Sequence, residues 1–255
     1  MFQTRWSYPE DDGGSPISSY ELVNLGAEKI SDLDKYEIAY KGTELGCTVS
    51  NLLPGKSYQL KLRAYNEIGP GEWSDIVEMT ASAGPPDSPE APKIVIKSYN
   101  CLVITWNEPS NNGAMITDYK LEWSLKKNDS FTQLYDGPLL QYELKKRIQP
   151  FTRYFFRVQA LNINGSSSFS QLAECVTPAA VPSVIQTMRT ENVTSDSFSV
   201  FWKQPNCNGC PITSYNLDLN NNSTTAGTSP YIVVYNKQND CEHKLEALSP
   251  NTVYR

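Results

Sequence analysis

The segment Trp106-Asn107-Glu108-Pro109-Ser110-Asn111-Asn112-Gly113-Ala114-Met115-Ile116-Thr117-Asp118-Tyr119 decides the fold, because its skeleton occurs three times. Trp6, Pro9, Gly14, Ile17 and Tyr20 repeat it near the amino terminus, and Trp202, Pro205, Gly209, Ile212 and Tyr215 repeat it near the carboxyl terminus. A second motif follows each copy in the same order: Leu52, Pro54, Tyr58; Ile148, Pro150, Tyr154; Leu248, Pro250, Tyr254. Two motifs recurring in one order at a period of about a hundred residues mean three homologous units.

Working outward from the tryptophan, Leu102-Val103-Ile104-Thr105-Trp106 alternates apolar with polar residues, and so does Tyr58-Gln59-Leu60-Lys61-Leu62-Arg63-Ala64. Alternation is the period of a half-buried strand, and it puts Leu102, Ile104 and Trp106 on one face. Phe2, Thr4 and Trp6, and Phe198, Val200 and Trp202, are the equivalent faces of the other copies. Helical spacing is not sustained anywhere. Short strands separated by turn clusters such as Asp11-Asp12-Gly13-Gly14 predict an all-β fold of tandem antiparallel β-sandwiches, with no helix longer than a turn or two.

The first copy begins at its tryptophan strand and the third stops at Tyr254-Arg255, so both read as truncated and the chain reads as a fragment. Gly84-Pro85-Pro86-Asp87-Ser88-Pro89-Glu90-Ala91-Pro92 and Thr177-Pro178-Ala179-Ala180-Val181-Pro182 cannot join a central strand and favour extended, fairly stiff chain. Boundaries are therefore expected near residues 84 and 180. They give a domain at 1–84 lacking its first strand, a complete domain at 85–180, and a domain at 181–255 truncated at its C-terminal strands.

Composition narrows the chemistry. The chain has 255 residues, 39% hydrophobic, a net charge of −6 and one histidine, His243. That is enough apolar residue for real cores in two or three domains, and too little imidazole for most hydrolase and metal chemistry. No nucleophile or carboxylate is paired with His243 by spacing, so neither catalytic residues nor a cofactor are expected. Acidity argues against nucleic-acid binding. No signal-length or membrane-length apolar run occurs, so any membrane link would lie outside this fragment. Residues 1–84 carry 7 basic and 13 acidic side chains, whereas 85–180 carry 10 and 9.

Trp-x-x-Pro with Ile-x-x-Tyr, then Leu-x-Pro-x-x-x-Tyr, then Ala64, Asn66, Gly69 or Ala160, Asn162, Gly165, resembles the immunoglobulin-like fibronectin type III domain over essentially the whole chain. Tyr40 to Gly55 and Asn66-Glu67-Ile68-Gly69 are similar, more narrowly, to the fibronectin type-III domain-containing protein 3 family. In the third copy, Asp218 to Ser223 and Asp240 to His243 depart from that pattern. The resemblance implies a non-enzymatic scaffold that binds protein partners, within an intracellular protein held on Golgi, endoplasmic reticulum or vesicle membranes by a carboxy-terminal anchor. Two other settings stay open. Sequons at Asn128, Asn164, Asn192, Asn221 and Asn222 would suit an extracellular adhesion or receptor ectodomain, and Pro9 to Ile17 also resembles repeats of giant muscle proteins.

Trp6, Trp106, Trp202, Tyr58, Tyr154 and Tyr254 are expected to be structural, the tyrosines as corners whose hydroxyls bond nearby backbone. Cys207-Asn208-Gly209-Cys210 has the spacing of half a zinc site but lacks the other half; all six cysteines are expected to be mostly free and unmetallated. Phe131, Tyr135, Lys145 and Lys146 are the candidate partner surface.

Overall fold

The computed structural model describes residues 2–26, 36–220, 232–237 and 240–254, and among them every regular element is a strand. The first repeat holds β1 (Phe2–Arg5), β2 (Ser19–Asn24), β3 (Glu37–Gly42), β4 (Gly46–Val49), β5 (Ser57–Tyr65) and β6 (Val77–Thr80). Its sheets are β1-β4 and β3-β2-β5-β6, both antiparallel.

The middle repeat holds β7 (Lys93–Ser98), β8 (Cys101–Thr105), β9 (Ile116–Ser124), β10 (Thr132–Gly137), β11 (Gln141–Leu144), β12 (Arg153–Asn162), β13 (Gly165–Ser166) and β14 (Ala173–Val176). They form β11-β8-β7 and β10-β9-β12-β13, with β14 also on β12. In the third, β15 (Met188–Glu191), β16 (Phe198–Trp202) and β19 (Glu242–Leu245) form one sheet, and β17 (Tyr215–Leu219) pairs with β18 (Ile232–Lys237).

Alternation explains these strands. On β8, Leu102 and Ile104 are wholly buried while Cys101, Val103 and Thr105 are half-exposed. The first repeat buries Leu22, Val49 and Leu60, with Phe2, Trp6 and Tyr40 packed on them; the third buries Val200, Trp202, Ile212, Tyr215 and Leu245. Each repeat tilts its tryptophan ring onto the tyrosine of the same motif: Trp6 on Tyr20, Trp106 on Tyr119 and Trp202 on Tyr215, at 5.4–5.9 Å. The second motif also closes alike. The hydroxyls of Tyr58, Tyr154 and Tyr254 accept the N–H groups of Leu53, Gln149 and Ser249 at 2.7–2.8 Å.

By compactness the chain divides into two units. One comprises Met1–Lys93, Thr105–Tyr142 and Phe155–Ala173; the other comprises Ile94–Ile104, Glu143–Tyr154 and Glu174–Arg255. Their limits run through the middle repeat rather than along the linkers.

Candidate functional site: the loop end that meets the linker

The loop after each tryptophan strand ends in two residues with positive φ: Gly13 (68°) and Gly14 (78°), Asn112 (52°) and Gly113 (89°), Asn208 (50°) and Gly209 (96°). Glycine and asparagine tolerate the left-handed region, which is why this turn is written in them three times. A side chain at the start of the loop holds it closed. Asp11 Oδ1 accepts Gly13 N–H at 2.9 Å, Asn111 Oδ1 accepts Gly113 N–H at 3.0 Å, and Asn206 Oδ1 accepts Asn208 N–H at 3.0 Å.

In the first compact unit this loop grips the preceding linker. Gly84 N–H donates to the Asn112 carbonyl at 3.0 Å and Asp87 N–H to the Ser110 carbonyl at 2.9 Å. The Asn112 side-chain amide donates to the Pro85 carbonyl at 2.8 Å and to Asp87 at 2.9 Å. From the end of β12, the buried Asn162 amide reaches the carbonyls of Gly84 (2.8 Å), Asn111 (3.2 Å) and Ala114 (3.3 Å). Pro86, Pro89 and Pro92 are buried along this path.

The second unit repeats the arrangement at the next linker. Ala180 N–H donates to the Asn208 carbonyl at 3.1 Å and Ser183 N–H to the Asn206 carbonyl at 2.9 Å. The Asn208 amide donates to the Val181 carbonyl at 2.7 Å. A linker without regular structure is thereby ordered by satisfying its backbone groups.

In the first repeat the corresponding loop end is open. A cavity of about 600 Å³ lies there, walled by Glu10, Gly13, Asn66, Gly69 and Trp73 among others. Tyr20, 3% exposed, also lines it, and among the described residues its hydroxyl has no hydrogen-bond partner. Beside it, Glu21 on β2 faces Arg63 on β5 in the antiparallel register. Arg63 donates to Glu21 Oε2 at 3.1 Å, and the Tyr65 hydroxyl donates to the same oxygen. Burial pushes the Glu21 carboxyl up, but the bonds from Tyr65 and Arg63 outweigh it and hold the group below its ordinary value. The Arg63 guanidinium lies 4.2 Å from the Trp73 ring centroid. In the middle repeat Arg157 bonds Glu122 Oε2 at 2.7 and 2.8 Å and lies between Phe131 and Phe169, at 4.1 and 4.0 Å.

The sequence-derived candidates fall as follows. Tyr58, Tyr154, Trp106 and Trp202 are buried, and Trp6 and Tyr254 half-buried. Phe131 is covered on one face by Arg157, and Tyr135 stands against Trp106 (6.1 Å) and Tyr142 (5.6 Å), so both are engaged within the repeat. Lys145 and Lys146 are exposed on the other sheet, beyond β11, with Lys145 paired to Glu143 at 2.9 Å. All six cysteines are free thiols; Cys210 is exposed, and Cys241 precedes β19 rather than lying in it. Asn128, Asn164 and Asn192 are exposed, whereas Asn221 and Asn222 lie outside the described residues. Half of the departure at Asp218 to Ser223, residues 221–223, lies outside them too.

Sequence reading treated the Asn-Gly loops as turn chemistry and missed their hold on the linker. The recurrence of Asn at 112 and 208, each 28 residues after Gly84 and Ala180, was the available signal. The Glu21–Arg63 and Glu122–Arg157 pairs had none, because cross-strand register is invisible in one sequence.

These features define a tandem array of antiparallel β-sandwiches joined by gripped linkers. The fibronectin type III domain matches residues 2–80 and 87–176. The chain belongs to the fibronectin type III family. It is 36% identical, over 99% of its length, to Fibronectin type-III domain-containing protein 3A of Mus musculus, and covers 20% of that relative. It is 27% identical over 97% of its length to Titin of Drosophila melanogaster, covering 1% of it. The crystal structure of chicken CNTN1 FN1-FN3 domains shares the fold, with a TM-score of 0.50 and 22% identity over 99% of this chain and 85% of that one. The chain thus spans about a fifth of the length of the Mus musculus and Homo sapiens Fibronectin type-III domain-containing protein 3A relatives.

Proposed function

We propose that the chain is a non-enzymatic protein-interaction array of three repeats, with boundaries near residues 84 and 180, within a membrane-anchored intracellular protein. Protein partners, rather than nucleic acid, are what it displays surface to. The observation that supports an array is the repeated grip on the linkers: Gly84 on Asn112 and Ala180 on Asn208 use the same backbone groups, so each linker is held in the same way by the loop that follows it. Lys145 and Lys146 are candidate contacts for an acidic partner.

The test is fractionation of tagged full-length protein from cells, with and without endoglycosidase. The reading expects sedimentation with membranes, repeats open to protease in intact vesicles, and no mobility change on deglycosylation. A second reading, an ectodomain, is favoured by the exposed sequons at Asn128, Asn164 and Asn192; a glycan shift would establish it instead.

A further inference from the structure

We propose that the Asn208–Gly209 pair, in the turn that grips the second linker, is a site of spontaneous covalent change: its side chain closes to a succinimide and opens to aspartate or isoaspartate. The linker's hold sets the rate, and the change releases the linker.

The chemistry needs only the chain and water. The Gly209 backbone nitrogen, its proton taken by hydroxide, attacks the side-chain carbonyl carbon of Asn208. A C–N bond forms there as the bond to the amide nitrogen breaks, and ammonia leaves. Water then adds to either imide carbonyl, so the product is aspartate or isoaspartate. Glycine hinders the attack least, having no side chain. Three Asn-Gly pairs occur, at Asn112, Asn164 and Asn208.

The structure ranks them. At Asn112 both reacting groups are tied: the amide donates to the Pro85 carbonyl at 2.8 Å and to Asp87 at 2.9 Å, and Gly113 N–H donates to Asn111 Oδ1 at 3.0 Å. The Gly113 nitrogen also stands against backbone, 2.5 Å from where a Cβ on Gly55 would lie. Asn208 has one of these three bonds, from its amide to the Val181 carbonyl at 2.7 Å. Cys207 occupies the place of Asn111, and without an amide oxygen there Gly209 N–H has no partner among the described residues. What crowds Gly209 is the Phe151 side chain, 63% exposed and free to move, rather than backbone. The nucleophile at Asn208 is thus available, and only the linker holds the amide. Asn164 is exposed and its side chain has no bond among the described residues, so it serves as the pair that no linker restrains.

The product cannot repeat the grip. A carboxylate at 208 sets an acceptor against the Val181 carbonyl where the amide had donated. Isoaspartate also lengthens the turn by one main-chain carbon. The Ala180 and Ser183 N–H groups, which donate to the Asn208 and Asn206 carbonyls, then lose their fixed acceptors.

The test ages the native chain in mildly alkaline buffer and reads aspartate and isoaspartate at each pair by peptide mapping and mass spectrometry. Asn208 should convert at least about fivefold faster than Asn112, which has two further hydrogen bonds to break. Cys207→Asn restores an acceptor for Gly209 N–H and should slow Asn208 alone. Ser183→Pro removes the N–H that bonds the Asn206 carbonyl and the hydroxyl that accepts Asn206 N–H at 3.0 Å. It should speed Asn208 and leave Asn112 and Asn164 unchanged. In Asn208→Asp, the Ala180 and Ser183 amide hydrogens should exchange faster than in the native chain.

Conversion of Asn208 no faster than Asn112, or an unaltered rate at Asn208 in either Cys207→Asn or Ser183→Pro, would overturn the gated site. Unaltered exchange in Asn208→Asp would overturn the release. Acceleration at all three pairs in a variant would report unfolding of that variant, and the ratio of Asn208 to Asn112 in the native chain then decides.

Discussion

Gly55 of the first repeat meets Gly113 of the middle repeat so closely that a Cβ on Gly55 would stand 2.4 Å from the Gly113 Cα. Both have positive φ, 68° and 89°, so an added side chain is strained as well as obstructed. The obstruction is backbone on backbone and has no cheap relief. Gly113→Ala should cost about 1–3 kcal/mol in urea unfolding. Gly14→Ala, also at positive φ but with nothing within 4 Å, should lose clearly less.

Asn162 should behave as a clamp. Its amide satisfies three carbonyls, including that of Gly84, and its own oxygen accepts Asn164 N–H at 2.8 Å. Asn162→Ala leaves those groups without it in a buried site and should cost about 2–3 kcal/mol, read from the urea midpoint. An unchanged midpoint would mean that water replaces the amide.

These residues show what the sequence could carry. Trp106, Tyr119 and Tyr154 were legible because type and period mark them as inward-facing on strands, and they are buried at 5%, 3% and 0% exposure. The Asn-Gly loops were legible as turns, since left-handed backbone selects those residues. Their second role was not, because it depends on where a linker 28 residues upstream in sequence returns in space. Phe131 and Tyr135 read as surface for the complementary reason. Their positions look variable, while the Arg157 and Trp106 contacts that engage them come from strands whose register only the structure fixes.

Glu21 gives an acid-side prediction. Its carboxyl is held below the ordinary value of about 4.5, so its contribution is present above that pH and is lost as pH falls through the lower, folded value. Glu21→Gln should flatten the acid limb of the stability profile. Glu21→Ala, which strands Arg63, should cost about 3–5 kcal/mol at neutral pH.

Thiol reactivity should be ordered by burial. Cys175 is pushed up to about 11 by burial, so little thiolate forms near neutrality, whereas Cys210 is exposed. Brief iodoacetamide labelling of native protein, read by mass spectrometry, should mark Cys210 early and Cys175 late. Equal labelling would show that β14 opens faster than the reagent reacts.

Tyr119 supplies the alkaline counterpart. Burial, aided by the Glu108 charge, pushes its phenol from 10 to about 12. The folded state therefore holds the neutral phenol, and the unfolded chain ionises first. Its contribution is complete below pH 10 and is lost as pH rises toward 12. The full rise corresponds to about 2–3 kcal/mol. Urea midpoints taken across that window should fall in the native sequence and fall less in Tyr119→Phe. Cys175 titrates nearby, its ordinary value of 9 raised to about 11, so the comparison should be made in a Cys175→Ser background. Absorbance at the phenolate band should show one tyrosine fewer ionising late in the Tyr119→Phe variant; an identical titration would remove Tyr119 as the source.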